Sequence, residues 1–280
     1  MTQSSSQAML RRGVIYLGAL LILVWSASPF LWQFSTAFQL DRALTSGTPS
    51  LIPDPFTLEH FRNVFVSKQL QYYILNSMIV SLTTTFLCLA IGSLAAFALS
   101  RLNVKGRYGI LMVILSVSMF PQITLVGPLY IAAATLGMLD TYTALILVYI
   151  ALVLPLVTWV LYGYFETLPR EIDEAGRMDG LHAIGIYWFI ILPMSMPSLV
   201  TTGLLAFITA WNEFLFALAF TSNIDHQTIP VGIAGFTNLY YVPWGDIAAA
   251  SVIVTAPLIL LVLVFQRHII EGLTQGGIKE

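Results

Sequence analysis

The chain has 280 residues, of which 58% are hydrophobic and only 9% charged. Soluble domains carry about 25% charged residues, so this chain lacks the polar surface to cover a core in water, and its mean hydropathy of +0.84 makes it an integral membrane protein. A formal net charge of −2 gives no basic excess for nucleic acid, and a single cysteine, Cys88, excludes an internal disulfide and reads as a small buried hydrophobe.

The first apolar run covers 13–34, behind Arg11 and Arg12. Ser26-Ala27-Ser28 has the look of a leader cleavage site, but Pro29 follows it and the run continues to Phe34. The length is that of a span and not of a short signal core, so a retained first helix is expected. The segment 35–73 holds Gly47, Pro49, Pro53 and Pro55 and reads as a turn-rich loop. Further runs of spanning length follow at 74–99, 110–134, 142–165, 197–220 and 247–265. They are long, rich in Leu, Ala and Ile, and do not alternate with period two, so helices are expected and a β-barrel is not. Pro121 and Pro155 are expected to kink their helices.

Lys and Arg set the direction. Nine fall on one side of the six spans (Arg11, Arg12, Arg101, Lys105, Arg107, Arg170, Arg177, Arg267, Lys279) and three on the other (Arg42, Arg62, Lys68). The positive-inside rule then places both termini in the cytoplasm. The expected architecture is an all-α integral membrane protein with six transmembrane helices in one domain. A 1–12 tail precedes the domain at 13–265, which includes a cytoplasmic loop at 166–193, and a 266–280 tail follows.

That loop is the anomaly. Five of the nine residues from Glu171 to Asp179 are charged. Pro169 suits the first turn of a helix over Arg170–Met178, and Gly180 suits its end. A second helix can start near Leu181 and run through 184–191, until Pro193 and Pro197 break it. Ile172, Ala175 and Met178 fall at spacing three beside Glu171 and Glu174, a narrow apolar stripe flanked by carboxylates. Such a stripe suits either a groove in a soluble partner with a basic rim or a bare loop helix on the lipid surface. Its anionic face favours the protein partner over anionic headgroups.

Within the spans, Glu213 is the sole acid, a functional candidate by default because an intramembrane carboxylate is costly. Asn212 offers a donor and an acceptor, and Trp211 a ring face of the kind that packs on sugars. Asn76 with Ser77, and Gln122 with Thr124, are further polar candidates for a substrate pathway. For Glu213 and Asn212 the alternative is that they bond backbone of a partner span and hold an interface between two membrane subunits together. The histidines His60, His182, His226 and His268 show no metal-ligand spacing. No nucleophile set and no G-x-x-x-x-G-K-[ST] is present, the nearest being Lys105-Gly106. Nothing here argues for an enzyme, and a self-contained secondary transporter would need more charge-relay residues than Glu213.

The run 174-EAGRMDGLHAIGIYWFIILP-193 resembles the EAA loop of ABC importer permeases, through Glu174, Ala175, Asp179, Gly180, Ile190, Leu192 and Pro193. Gly176 stands where the family usually has Ala, and Leu181 where Ala is common. The stretch 211-WNEFLFAL-218 and the tail 265-FQRHIIEGLTQGGIKE-280 are similar to the maltose-type, MalG-like branch. The resemblance implies a sugar-import permease subunit that pairs with a second permease, two ATP-binding subunits and an extracytoplasmic solute-binding protein, in a bacterial or archaeal inner membrane. ATP and Mg would sit in the partner ATPase and no cofactor in this chain. Ile172, Glu174, Ala175, Gly176, Met178, Asp179, Gly180 and Leu181 would form the coupling contact to the ATPase, and Gly272, Thr274, Gly276 and Gly277 a tail contact to it. The related alternative is a permease for another polar solute, glycerol phosphate or a compatible solute. The absence of basic residues in the spans favours neutral cargo over the former.

Overall fold

The computed structural model describes residues 5–45 and 51–275. Its regular structure is helical, with one antiparallel bridge between Gln39 and Phe56. The chain divides into two compact units, one formed by the segment to Gln69 with Gly235–Thr255, the other by Leu70–Ala234 with the segment from Ala256.

The first unit holds α1 (Ser5–Ala37), α2 (Asp41–Thr45), α3 (Glu59–Val66) and the start of α14 (Trp244–Gln275). Helix α1 extends the apolar run of 13–34 at both ends, so the helix begins inside the expected 1–12 tail. Its apolar side chains lie open, Trp25 at 82% exposure, as a lipid-facing helix requires and a water-facing one does not allow. Beyond it, the Phe38 ring stacks on Phe56 and tilts against Phe61, each pair 4.9 Å apart.

His60, in α3, is 3% exposed. Its Nδ1 lies 2.8 Å from an Asp246 carboxylate oxygen and its Nε2 2.9 Å from the Gln39 carbonyl. Asp41, 3.8 Å from Nε2, accepts the Tyr241 hydroxyl at 2.6 Å, and this bond pushes the phenol up to about 12. The segment after α1, helix α3 and the first turn of α14 are thus joined through one buried ring. Gly245 lies directly against it: a Cβ there would stand 2.2 Å from Nε2. Gly245→Ala is therefore expected to lower stability by about 1–3 kcal/mol, the usual cost of over-packing, read as a lower melting temperature of the detergent-solubilised protein.

The second unit is built on α4 (Leu70–Arg101) and α7 (Tyr142–Thr167), with α11 (Met196–Trp211) packed against both. Its core includes Cys88, Ala96 and Phe97 of α4, Val157, Leu161 and Phe165 of α7, and Ala206 of α11. Gly92 permits the close approach, since a Cβ there would meet Val157 at 2.7 Å. Small residues at helix contacts are the membrane solution, because lipid supplies no hydrophobic drive between helices.

Two expected spans are broken. The run 110–134 forms α5 (Arg107–Ser118) and α6 (Gln122–Thr135), bent by 88°. Pro121 stands at the N-cap of α6 with ψ 119 and has no N–H to continue α5. The run 197–220 forms α11 and α12 (Leu215–Phe220), separated at 212–214. Pro155, by contrast, lies inside the uninterrupted α7. Among the described residues four helices are long and apolar enough to cross a membrane unbroken, and up to six if two bent pairs, Arg107–Ser118 with Gln122–Thr135 and Ala183–Met194 with Met196–Trp211, each count as one span.

Two polar clasps close the loops of this unit. Asp140 accepts the Ser222 hydroxyl (2.5 Å), the Asn223 N–H (3.0 Å) and the Ser222 N–H (2.6 Å), and these bonds hold its carboxyl below the usual carboxylate range. Their stabilisation is present above the ordinary aspartate pKa of about 3.9 and is lost only as pH falls through the lowered value. Asn76, 2% exposed, donates to the carbonyls of Ile224 and Gln227, both at 2.9 Å, and accepts the Tyr142 hydroxyl at 2.7 Å. The Ser77 hydroxyl accepts the N–H of Ile229, the first residue of α13 (Ile229–Ala234).

Candidate functional site

The charged segment folds as two arms. The first, α8 (Glu171–Met178), has Arg170 at its N-cap position, Glu171, Asp173 and Glu174 in its first turn and Arg177 in its last, a charge order that suits the helix dipole. Pro169 lies one residue before the N-cap and not within the first turn. Gly180 ends the arm in the left-handed region at φ 85. The Gly180 N–H donates to Arg177 O at 3.0 Å and the Leu181 N–H to Gly176 O at 2.9 Å, the two bonds of a Schellman cap.

The second arm comprises α9 (Ala183–Ile186), a π-turn (Tyr187–Ile191) and α10 (Leu192–Met194), and meets α11 at 80°. The break falls at Ser195. Pro193 does not cause it but sits within α10, where the preceding π-turn has already changed the hydrogen-bond register: Leu192 N–H donates to Tyr187 O. Pro197 opens α11 as an early helical residue.

Six of the eight residues expected to contact a partner form an open surface or its edge: Glu174, Ala175, Met178, Asp179 and Gly180 are exposed, and Ile172 is half-buried. Met178 is 88% exposed. Leu181 is half-buried, its side chain against Gly185. Gly176 is buried instead. A Cβ there would meet Ile190 Cδ1 at 2.7 Å and Ile186 Cγ1 at 3.2 Å, so the departure from Ala makes room for the second arm. That arm leaves Ile184, Trp188 and Phe189 at 60%, 54% and 75% exposure.

Arg101, the last residue of α4, enters the sequence reading only as a marker of direction. In the structure it is 6% exposed and reaches the first arm, with Nη1 3.2 Å from Asp173 Oδ2. Its other nitrogen donates to the carbonyls of Phe165 and Leu168 at the end of α7.

The polar residues expected in the spans separate into two groups. Gln122, Asn212 and Glu213 line one cavity of about 350 Å³, together with Tyr149, Thr209 and the apolar Leu152, Val153, Ala210, Phe214 and Leu215. The breaks in both runs supply it: Gln122 opens α6, and Asn212 and Glu213 occupy the gap before α12. The Glu213 carboxylate accepts the N–H groups of Phe216 and Ala217 at 2.8 and 3.1 Å, so it caps α12 and its charge is met by a helix N-terminus. The Asn212 amide donates to Ile208 O at 2.8 Å. Both therefore bond backbone of their own chain. Trp211 is 3% exposed and packs on Phe207 with ring centres 5.3 Å apart, outside this lining, and Asn76 is spent on its loop clasp. Tyr149 and Thr209 have no sequence signal, being one aromatic and one hydroxyl within long apolar runs.

Of the tail residues, Gly272 and Thr274 lie in α14, so the chain does not turn at Gly272; Gly276 and Gly277 lie outside the described residues.

Comparison with known proteins gives four findings. Residues 88–275 match the family described as binding-protein-dependent transport system inner membrane component. The chain is 42% identical over 276 residues to the trehalose/maltose transport system permease protein MalG of Thermococcus litoralis, covering 98% of this chain and 99% of that one. It is 38% identical over 264 residues to the sulfoquinovosyl glycerol transport system permease protein SmoH of Agrobacterium fabrum, covering 94% and 93%. In structure it is similar to a chain of a bacterial ABC transporter involved in import of the acidic polysaccharide alginate. The TM-score is 0.78 with 21% identity, over 95% of this chain and 98% of that one, a likeness of fold.

Proposed function

This chain belongs to the family of binding-protein-dependent transport system inner membrane components, and from that premise we infer that it is one of two permease subunits of an ATP-driven sugar importer. It is a multi-pass membrane protein and a transport subunit, not an enzyme. The full-length similarity to a trehalose/maltose permease supports a sugar as cargo.

In this reading both termini are cytoplasmic, as the nine-to-three distribution of basic residues implies. The arms of 166–193 then face the cytoplasm. Two ATP-binding subunits hold ATP and Mg, an extracytoplasmic binding protein delivers the sugar, and α8 seats in a cleft of one ATPase. The observation that carries this is the exposed row Glu174, Ala175 and Met178 on a helix held from behind by Asp173 and Gly176. A helix fixed on one face and bare on the other can take up a partner's displacement without unfolding. Gly272, Thr274, Gly276 and Gly277 would extend the contact along the tail.

The cavity between the two broken spans is the proposed sugar-facing surface of this subunit. Amide and hydroxyl groups of Gln122, Asn212, Thr209 and Tyr149 suit sugar hydroxyls, and no basic residue lines it. That favours a neutral sugar over glycerol phosphate. Glu213→Gln keeps one acceptor for α12 and removes the charge, while Glu213→Ala removes the cap. Loss of charge-assisted bonds costs about 1.5–3 kcal/mol each, so the alanine variant is expected to melt lower than the glutamine variant, with transport reduced in both. Equal melting of the two and the wild type would reject the capping role.

The assignment is tested by purifying the tagged chain from its native membranes in mild detergent and identifying every co-purifying protein by mass. An ATPase and a second permease are the expected companions. Recovery of this chain alone, with uptake intact after reconstitution alone, would overturn the reading in favour of a self-contained transporter.

A further inference from the structure

We propose that Arg101 is the positioning residue through which movement of α8 is passed to the spans, with the Arg101–Asp173 pair as the joint; this rests on the permease reading above. Three elements meet at one guanidinium: the end of α4, which carries it, the end of α7, whose Phe165 and Leu168 carbonyls it binds, and the first turn of α8 through Asp173. The Arg101 and Asp173 side chains are 3% and 10% exposed. The neighbouring pairs differ: Arg107–Glu166 has side chains 25% and 33% exposed, and Arg170–Glu166 59% and 33%. Exposed pairs transmit little because water and salt screen them. The buried pair is the stiff connection.

The contact is also incomplete. Arg101 Nε and Asp173 Oδ1 are both buried without a hydrogen-bond partner. One N–H···O contact therefore joins the two groups, and the Nε–H, on the opposite edge of the guanidinium from Nη1, is left unspent. A movement of α8 that carries the carboxylate round to the Nε edge would satisfy both unspent groups, giving the joint a second, discrete arrangement. A two-state element biased from one side is what a transmitted movement requires. Met178 and Glu174, on the bare face of the same helix, are where the bias would be applied.

The test uses the whole transporter (both permeases, the ATPases and the binding protein) in proteoliposomes. Two variants are compared with wild type. Asp173→Asn keeps the shape and one acceptor but removes the charge. Arg101→Lys keeps the charge but gathers its donors on one nitrogen and so cannot reach Asp173 and the two carbonyls from separate nitrogens. The readouts are ATPase subunits per complex, ATP hydrolysis, and sugar imported per ATP. Both variants are expected to retain the ATPases and to hydrolyse ATP, while sugar imported per ATP falls by roughly 2- to 30-fold, the span of coupling changes along such networks. Import and hydrolysis falling in equal proportion, or loss of the ATPases from either variant, would make the pair a fold or docking element and overturn the proposal. So would an unchanged import per ATP. Absence of any ATPase from the wild-type complex would overturn the underlying permease reading, and the joint with it.

Discussion

Replacing Gly180 by valine is expected to remove most sugar uptake while leaving the chain inserted in the membrane. The reason is backbone conformation, not space. No atom lies within 4 Å of a Cβ built at Gly180, yet its φ is +85. A branched side chain in the left-handed region costs about 1–2 kcal/mol or more, and the chain escapes by abandoning the cap bonds from Gly180 to Arg177 and from Leu181 to Gly176. The turn between the arms then opens, and the row Glu174–Met178 leaves its position. Because about 1.4 kcal/mol is a factor of ten in an equilibrium, uptake should fall by roughly tenfold or more. A series separates this account from a steric one. Asparagine tolerates the left-handed region, so uptake should follow Gly, Asn, Ala, Val in descending order. An order following side-chain volume would make the site one of close contact with a partner. Uptake by the valine variant at the wild-type level, with equal protein in the membrane fraction, would refute the role given to this turn.

Asn76→Ala is expected to cost about 2–4 kcal/mol of stability, as three groups lose a partner at a site where unsatisfied polar atoms cost about 1–3 kcal/mol each and partial rehydration offsets some of this. The Ile224 and Gln227 carbonyls lose their donor, and the Tyr142 hydroxyl keeps only the Asp225 carbonyl at 2.9 Å. The melting temperature should fall, and protease should cut the segment 222–228 faster. A pathway residue would behave differently, reducing uptake with stability unchanged. The two outcomes decide between the role its composition suggests and the role its bonds give it.

The long helices were legible because a span announces itself locally, through twenty or so apolar residues. The breaks within them were not. Pro121 carries a signal, but a proline inside a membrane helix can equally be absorbed, as Pro155 is in α7. Asn212 and Glu213 read as polar residues within a span, whereas they form a gap whose cost is met by capping α12. Gly180 was legible because a turn residue is chosen for its own conformation. At Gly176 sequence gives only a departure from the usual Ala, while its reason, Ile186 and Ile190 on the other arm, lies outside the helix that carries it. Arg101 shows the same limit. Charge on the expected inner side is all that sequence gives, while its partners Phe165, Leu168 and Asp173 lie 64 to 72 residues away.

The π-turn at Tyr187–Ile191 bears on how this segment tolerates insertions and deletions. A π-turn accommodates one residue more than an α-helical turn over nearly the same axial distance. An α-helical segment of this length that lost a residue would rotate everything after it by about a quarter of a turn, given 3.6 residues per turn. Here the loss of one residue, such as the outward-facing Phe189, is instead absorbed as a return to regular pitch. Leu192 and the start of α11 keep their facing. A variant one residue shorter between the glycine turn and the proline is thus expected to keep the packing of the following helix.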